Sequence, residues 1–263
     1  MNSGTLPTWS DFARREQCAA PERWDRLVAL YAPVLGPTGG TLFDVGGRKL
    51  TGTPANTVWA PGPGGWRLGF NGTSSVVSVA DSTPFVLQPP FSVVLVSRPQ
   101  SGIAQYDCAI SCSEDSGKGW RLWTRDASNY KWYWEANDGG AKNVAGLAAI
   151  GTTRREVVVG VHDGANLVLY VNGGLQGATA CGAVSYAFSP SLNVGNQSGT
   201  SRFFPMNLEL AAVFSRAIRQ PEAAEWFADP FALLRPAEED VGAGIDLAHL
   251  YAIRQRELLA GAA

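Results

Sequence analysis

Arg155–Ala178 reads REVVVGVHDGANLVLYVNGGLQGA. Val157, Val158, Val159 and Val161 form a short β-branched run. His162-Asp163-Gly164 interrupts it, Asn166–Val171 resumes it, and Asn172-Gly173 ends it. Apolar runs of strand length separated by Asn, Asp and Gly predict an antiparallel hairpin followed by a further turn. Asn-Gly tolerates the positive φ of a tight turn, which accounts for a polar end on an apolar strand. Alternation predicts that Val159 and Leu169 face the core. His162-Asp163 poses a choice between a catalytic pair and a bend. Neighbours along a strand point to opposite faces, so the pair reads as a turn.

Outward from this hairpin the same pattern recurs. WRLGF, SVVSVA, FSVVLVSRP, DCAISCS, GWRLWTR, YKWYWEA, SLNVGN and NLELAAVFS read as further strands. Their spacing is that of a sandwich or barrel, and no amphipathic helix intervenes as βαβ units would require. AIRQPEAAEWFADPF predicts one short helix, with Pro221 in its first turn, Glu222 at its positive end and Asp229-Pro230 as its stop. Residues 1–26 read as an N-terminal extension in which Ser10 caps a helical stretch through Ala13 to Gln17. Residues 27–236 form the sandwich, and 237–263 an acidic linker followed by a helix. In that helix Leu247, Leu250, Tyr251 and Leu258 lie close to one stripe. Such a stripe packs on its own domain, on a second subunit or on another protein.

The chain has 263 residues, of which 45% are hydrophobic and 17% charged, enough to bury a core. Its net charge of -2 provides no basic footprint for nucleic acid. Apolar runs stay at strand length, far short of the ~20 residues of a membrane helix, so no membrane insertion is expected. The N-terminus lacks the pattern of a secretory signal, which suggests a protein kept in the cytoplasm or released by lysis with virus assembly. Cys18, Cys108, Cys112 and Cys181 make no CxxC pair and read as buried thiols. Residues four apart on a strand share a face but lie too far apart to bridge, which describes Cys108 and Cys112.

Phe70-Asn71-Gly72, Tyr170-Val171-Asn172-Gly173, Val194-Gly195 and Ser215-Arg216-Ala217-Ile218 occur in that order. Together they resemble the laminin G-like, concanavalin A-like lectin/glucanase jelly-roll family over roughly residues 27–230. GPTGGTLFDVGGRKLTGT resembles the family's entry segment. The resemblance implies an all-β, antiparallel jelly-roll β-sandwich, here with short terminal helices. Asn71 and Asn172 stand where the family has Asp. They keep the turn chemistry but remove negative charge that a calcium ion would use. Asp44 and Asp81 are then the best-placed carboxylates for Ca2+, against a reading of each as a turn residue.

Jelly-roll glycosidases of this kind use two carboxylates spaced along one strand. KWYWEAND offers Glu135 and Asp138 on opposite faces, and NLELAAV offers Glu209 alone, so no enzyme activity is expected. No P-loop, G-x-S-x-G or HExxH occurs. The aromatic stretch GWRLWTRDASNYKWYWEANDGG reads as a hairpin. Trp120, Leu122, Trp132 and Trp134 point inward. Trp123 and Tyr133 are expected in solvent, among Arg121, Arg125, Lys131 and Glu135, because charges are costly to bury. This set suits stacking on a sugar, a protein contact, or simple cross-strand pairing. The loops DSTPF, NDGGAKN and NQSGTSRFF are further contact candidates.

Two functions follow. The first is a non-catalytic structural protein of a virus particle: a bacteriophage decoration, collar or fibre-associated subunit. It would meet other virion proteins or its own copies through the terminal segments, and contact glycans. The second is a cellular carbohydrate-binding lectin module, cytoplasmic or surface-associated. A glycoside hydrolase ranks third.

Overall fold

The computed structural model describes residues 8, 12–13, 15–62, 64–81, 83–113, 118–126, 128–137, 140–182 and 191–237. Ser10, Asp138 and the stripe of Leu247, Leu250, Tyr251 and Leu258 lie outside the described residues. Two antiparallel sheets stack as a sandwich. One contains β1 (Leu27–Tyr31), β3 (Val58–Gly62), β4 (Gly65–Phe70), β6 (Phe91–Pro99), β11 (Glu156–His162), β12 (Asn166–Val171), β13 (Gly174–Ala180) and β15 (Met206–Phe214). Its order is β13-β12-β11-β6-β15-β4-β3, with β1 also paired to β15. The other contains β2 (Gly52–Ala55), β5 (Val76–Val79), β7 (Cys108–Ser113), β8 (Gly119–Arg125), β9 (Lys131–Asn137), β10 (Lys142–Ala149) and β14 (Leu192–Val194). Its order is β10-β9-β8-β7-β14-β5-β2. Every strand expected from the sequence is present. The strands β1, β2, β3, β10 and β13 were not expected: β1 (LVALY) continues a stretch that read as helix-like, and the glycine, proline and small residues of the other four carry a weak strand signal. The helix α1 (Gln220–Ala228) follows β15 as expected.

Between the sheets lies one core, in which Trp120, Leu122, Trp132 and Trp134 of β8 and β9 meet Phe91, Leu167 and Leu169. The indole N–H groups find acceptors there: Trp120 donates to the Phe85 carbonyl and Trp134 to the Val161 carbonyl, both at 2.9 Å. A second core covers the outer face of the eight-stranded sheet. Val94, Val96, Val157, Val159, Val161 and Phe214 pack there under Trp226 of α1 and Phe231, Leu233 and Leu234. A strand buried on both faces has no polar side to alternate with, so β6 and β11 read as continuous apolar runs.

This second layer corrects one expectation. Val159 and Leu169 both face a core, but different ones, because Val159 lies opposite Tyr170 and Leu169 opposite Gly160. Asn172 and Gly173 adopt φ of 52° and 78°. The Asn172 side-chain oxygen accepts the Val157 N–H at 3.0 Å, and α1 lies against the turn. Residues 15–26 run alongside 229–237, where Trp24 donates its indole N–H to the Leu233 carbonyl and Ala237 N–H reaches Gln17. Among the described residues no helix is long and apolar enough to cross a membrane.

Candidate functional site

The outer face of the seven-stranded sheet is polar. Register aligns Asn143, Glu135, Arg121, Ser111, Asn193, Ser78 and Thr53 in one row across β10, β9, β8, β7, β14, β5 and β2. Each is the outward partner of an inward apolar residue, as period-two alternation dictates. The middle of the row is covered by the chain following β14. Gly195, at φ 86°, turns the backbone there, and a side chain on it would meet the Phe70 ring at 2.2 Å. The next residues descend onto the row: Ser111 Oγ donates to the Asn196 carbonyl at 3.0 Å, and Arg121 reaches Gln197.

The Arg121 guanidinium joins three groups. Its Nη2 donates to Glu135 Oε1 at 2.6 Å, and its Nη1 to Gln197 Oε1 at 2.7 Å. Arg202 Nη1 donates to that same Gln197 oxygen at 2.7 Å. Burial pushes the Glu135 carboxyl up, and Arg121, Arg125 and Arg202 pull against it. Beside this network stands an aromatic cluster. Trp123 stacks on Tyr106 with centroids 5.6 Å apart, meets the edge of Tyr133 at 6.1 Å, and lies 4.1 Å below the Arg121 guanidinium. Arg202 sits 5.6 Å over Tyr106.

The expectation of an exposed Trp123 among exposed charges is overturned in part. Trp123 is 4% exposed, Arg121 7% and Glu135 2%, whereas Tyr133 and Lys131 are half-buried and Arg125 is exposed. A cross-strand ion pair neutralises the two charges, and the loop from Asn196 onward covers them, so the usual cost of burial is offset. Trp123 is the floor of the cluster. Its upper layer is Tyr106, 38% exposed and at φ 73°, a residue the sequence reading passed over. Tyr106 precedes β7 in a turn, where neither periodicity nor motif marks it. The loop NQSGTSRFF, a sequence candidate, supplies Asn196, Gln197 and Arg202.

The other candidates each have a hydrogen-bonded place in the fold. Asp44 Oδ1 accepts the N–H groups of Leu30 and Gly46, and Oδ2 those of Arg48 and Leu50. Four amide donors on one carboxylate pin this loop to β1. Asp81 caps Thr83 N–H at 3.1 Å. Among the described residues no group of three or more His, Cys, Asp or Glu is placed to hold a metal ion. His162 Nδ1 accepts the Gly164 N–H at 3.1 Å, so the proton sits on Nε2, which faces the Gly182 carbonyl at 3.1 Å. Asp163 accepts Ala165 and Asn166 N–H, which makes the His162-Asp163 pair a turn. The four cysteines are buried thiols. A bulge in β7 between Cys108 and Ile110 puts Cys108 opposite Trp123 while Cys112 joins the inner core, so the two do not share a face. Burial lifts the Cys108 thiol to about 12.

The overall fold is shared with proteins of known structure. The binding domain of Paraclostridial Mosquitocidal Protein 1 superposes with a TM-score of 0.64 at 13% identity, covering 79% of this chain and 53% of that one. Domain 4 of AbnA, an extracellular arabinanase from Geobacillus stearothermophilus solved with arabinotriose, gives 0.60 at 15% identity, covering 76% and 97%. Trypanosoma rangeli sialidase in complex with sialic acid gives 0.60 at 15% identity, covering 80% of this chain and 34% of that one. This chain therefore spans about half of the mosquitocidal binding domain and a third of the sialidase. At these identities the likeness is one of fold. No curated protein sequence matches the chain. Its own sequence matches the family described as the Concanavalin A-like lectin/glucanases superfamily over residues 70–224, which span the strands from the end of β4 to the start of α1. On that match, and with the sandwich it requires in place, the chain belongs to the concanavalin A-like lectin/glucanase superfamily.

Proposed function

We propose that the chain is a non-catalytic, lectin-like binding domain that takes a glycan on the outer face of the seven-stranded sheet. The carrying observation is the presentation of Tyr106 and Tyr133 on a buried Trp123 floor, with Arg121 and Arg202 over the rings and the paired Arg125 and Lys131 two positions further along the same two strands. Aromatic rings beside fixed hydrogen-bonding groups suit the apolar face and hydroxyls of a sugar. Solved relatives that hold arabinotriose or sialic acid support the reading through shared fold alone.

Chemistry at the described carboxylates favours binding over hydrolysis. Glycoside cleavage uses two carboxyl groups about 5–9.5 Å apart. Among the described residues four acids are buried, and each has a partner: Asp107 accepts the Ala104 N–H, and the three glutamates are held by side chains and a backbone amide. Glu135 pairs with Arg121, Glu156 accepts from Trp132 and Gly151, and Glu209 bridges Arg98 and Arg155. The charges acting on Glu135 and Glu156 are all guanidiniums.

Replacing Tyr106 and Tyr133 together by Ala tests the site. The expected result is a domain that still folds cooperatively, with a midpoint lowered by the about 1–3 kcal/mol of the two lost ring contacts, and at least tenfold weaker retention, about 1.4 kcal/mol, on the glycan that the wild-type domain selects from an array. Full retention by the double variant would sink the reading. Trp123→Ala is the wrong test, because it removes the floor.

The setting we propose is a virus particle, where the domain would serve as a decoration, collar or fibre-associated subunit. Four buried thiols support it, since a fold without disulfides suits assembly in a reducing compartment. Purified particles are then expected to carry the chain at fixed stoichiometry. A soluble chain absent from particles would leave the cellular lectin.

A further inference from the structure

Two guanidiniums converge on one neutral oxygen. Arg121 Nη1 and Arg202 Nη1 each donate to Gln197 Oε1 at 2.7 Å. Glu135 neutralises Arg121. Among the described residues no carboxylate lies within ion-pair distance of Arg202, whose guanidinium rests over Tyr106. Two cations against one anion leave one positive charge at this point. A hydrogen bond from guanidinium to an ionised oxygen is about twice as strong as one to a neutral oxygen. The Arg121 Nε and the Trp123 Nε1 are buried without an acceptor, so the cluster also holds more donors than acceptors.

We propose that Gln197 Oε1 occupies the seat of an anionic oxygen, and that the domain selects sugars bearing a carboxylate. The acid group of such a sugar would take the place of the Gln197 amide between Arg121 and Arg202 as that side chain swings outward. The sugar ring would then lie against Tyr106. Gln197 is itself buried, and the exchange would open from the exposed or half-buried residues that follow it, Ser198 to Ser201. This rests on the glycan reading above and adds the charge of the ligand.

Two measurements test it. The first needs no ligand. Gln197→Glu places a carboxylate in the seat, and its melting midpoint at pH 7 is expected to rise by about 2–6 °C. A lower midpoint, with Gln197→Ala no worse than Gln197→Glu, would overturn the proposal. The second compares wild type, Gln197→Glu and Arg202→Gln by calorimetry on two matched pairs of probes. These are trigalacturonate with its carboxyl-reduced form, and sialyllactose with lactose. Wild type is expected to bind at least one acidic probe tenfold or more tightly than its neutral partner. Both variants are expected to lose that preference. Equal binding of acidic and neutral partners overturns the seat and leaves the glycan site standing. A broad glycan array that retains nothing overturns the glycan reading itself, while the midpoint of Gln197→Glu still decides whether the seat prefers an anion.

Discussion

The two sheets treat their outer faces in opposite ways. The eight-stranded sheet buries its outer valines under α1 and the chain around Phe231, so its strands are apolar on both sides. The seven-stranded sheet lays a row of Asn, Glu, Arg and Ser across its outer face and covers only the middle with a polar loop. A covered apolar face contributes stability through buried area. A polar face under a loop contributes little net stability, because each hydrogen bond made replaces one with water. On the proposed reading, stability rests with the first sheet and recognition with the second.

The largest expected effect is on the covered face. Trp226 is fully buried, edge-on to Phe214 at 6.1 Å, with the Arg23 guanidinium 4.8 Å above it. Trp226→Ala is expected to cost about 3–5 kcal/mol in urea unfolding. Its glycan retention at low temperature should remain, because the site lies on the other sheet. Loss of binding without loss of stability would break the division between the faces.

A smaller effect of opposite sign is expected on the polar face. Asp107, at the entry to β7, is 7% exposed, and its carboxyl is pushed up to about 6 by burial against the pull of the Ala104 N–H. The native carboxyl therefore holds its proton below about pH 6, and the unfolded one only below about pH 4. Between those values the native state binds more protons, so stability falls as pH rises and Asp107 is a net cost at pH 7. Asp107→Asn keeps an acceptor for Ala104 and removes the charge. It is expected to stabilise by about 1–3 kcal/mol at pH 7 and to flatten the pH dependence between 4 and 6. A destabilised Asn variant with an unchanged pH profile would show that this carboxylate is satisfied as a charge.

The same contrast explains what the sequence made legible. On β8 and β9 alternation placed Trp120, Leu122, Trp132 and Trp134 inward, and these four are in the inner core. On β11 alternation had no grip, because Val157, Val159 and Val161 face one apolar layer and Val158 faces the other. The outward side of Arg121, Trp123 and Glu135 was also legible, but not their burial. That depends on Gln197, 76 positions away, whose return over the sheet no local pattern records. Asn71 and Asn172 were legible as turn residues, and each accepts backbone N–H groups there. Tyr106 was illegible because its role comes from a left-handed turn beside a neighbouring strand's tryptophan.

The smallest expected stability effect concerns that residue. A non-glycine side chain at φ 73° costs about 1–2 kcal/mol, since its Cβ crowds the carbonyl that follows. The stack on Trp123 returns about 0.5–1.5 kcal/mol. Tyr106→Gly relieves the first and forfeits the second, so its stability in urea is expected to stay within about 1 kcal/mol of wild type. Retention on the selected glycan should nonetheless fall tenfold or more. If instead Tyr106→Gly unfolds more readily and binds as before, Tyr106 is a lid for Trp123, and recognition on this face would have to rest on Tyr133 and the guanidiniums. A partly exposed tyrosine whose stack about offsets its backbone cost is, on the proposed reading, retained for what it presents to a ligand.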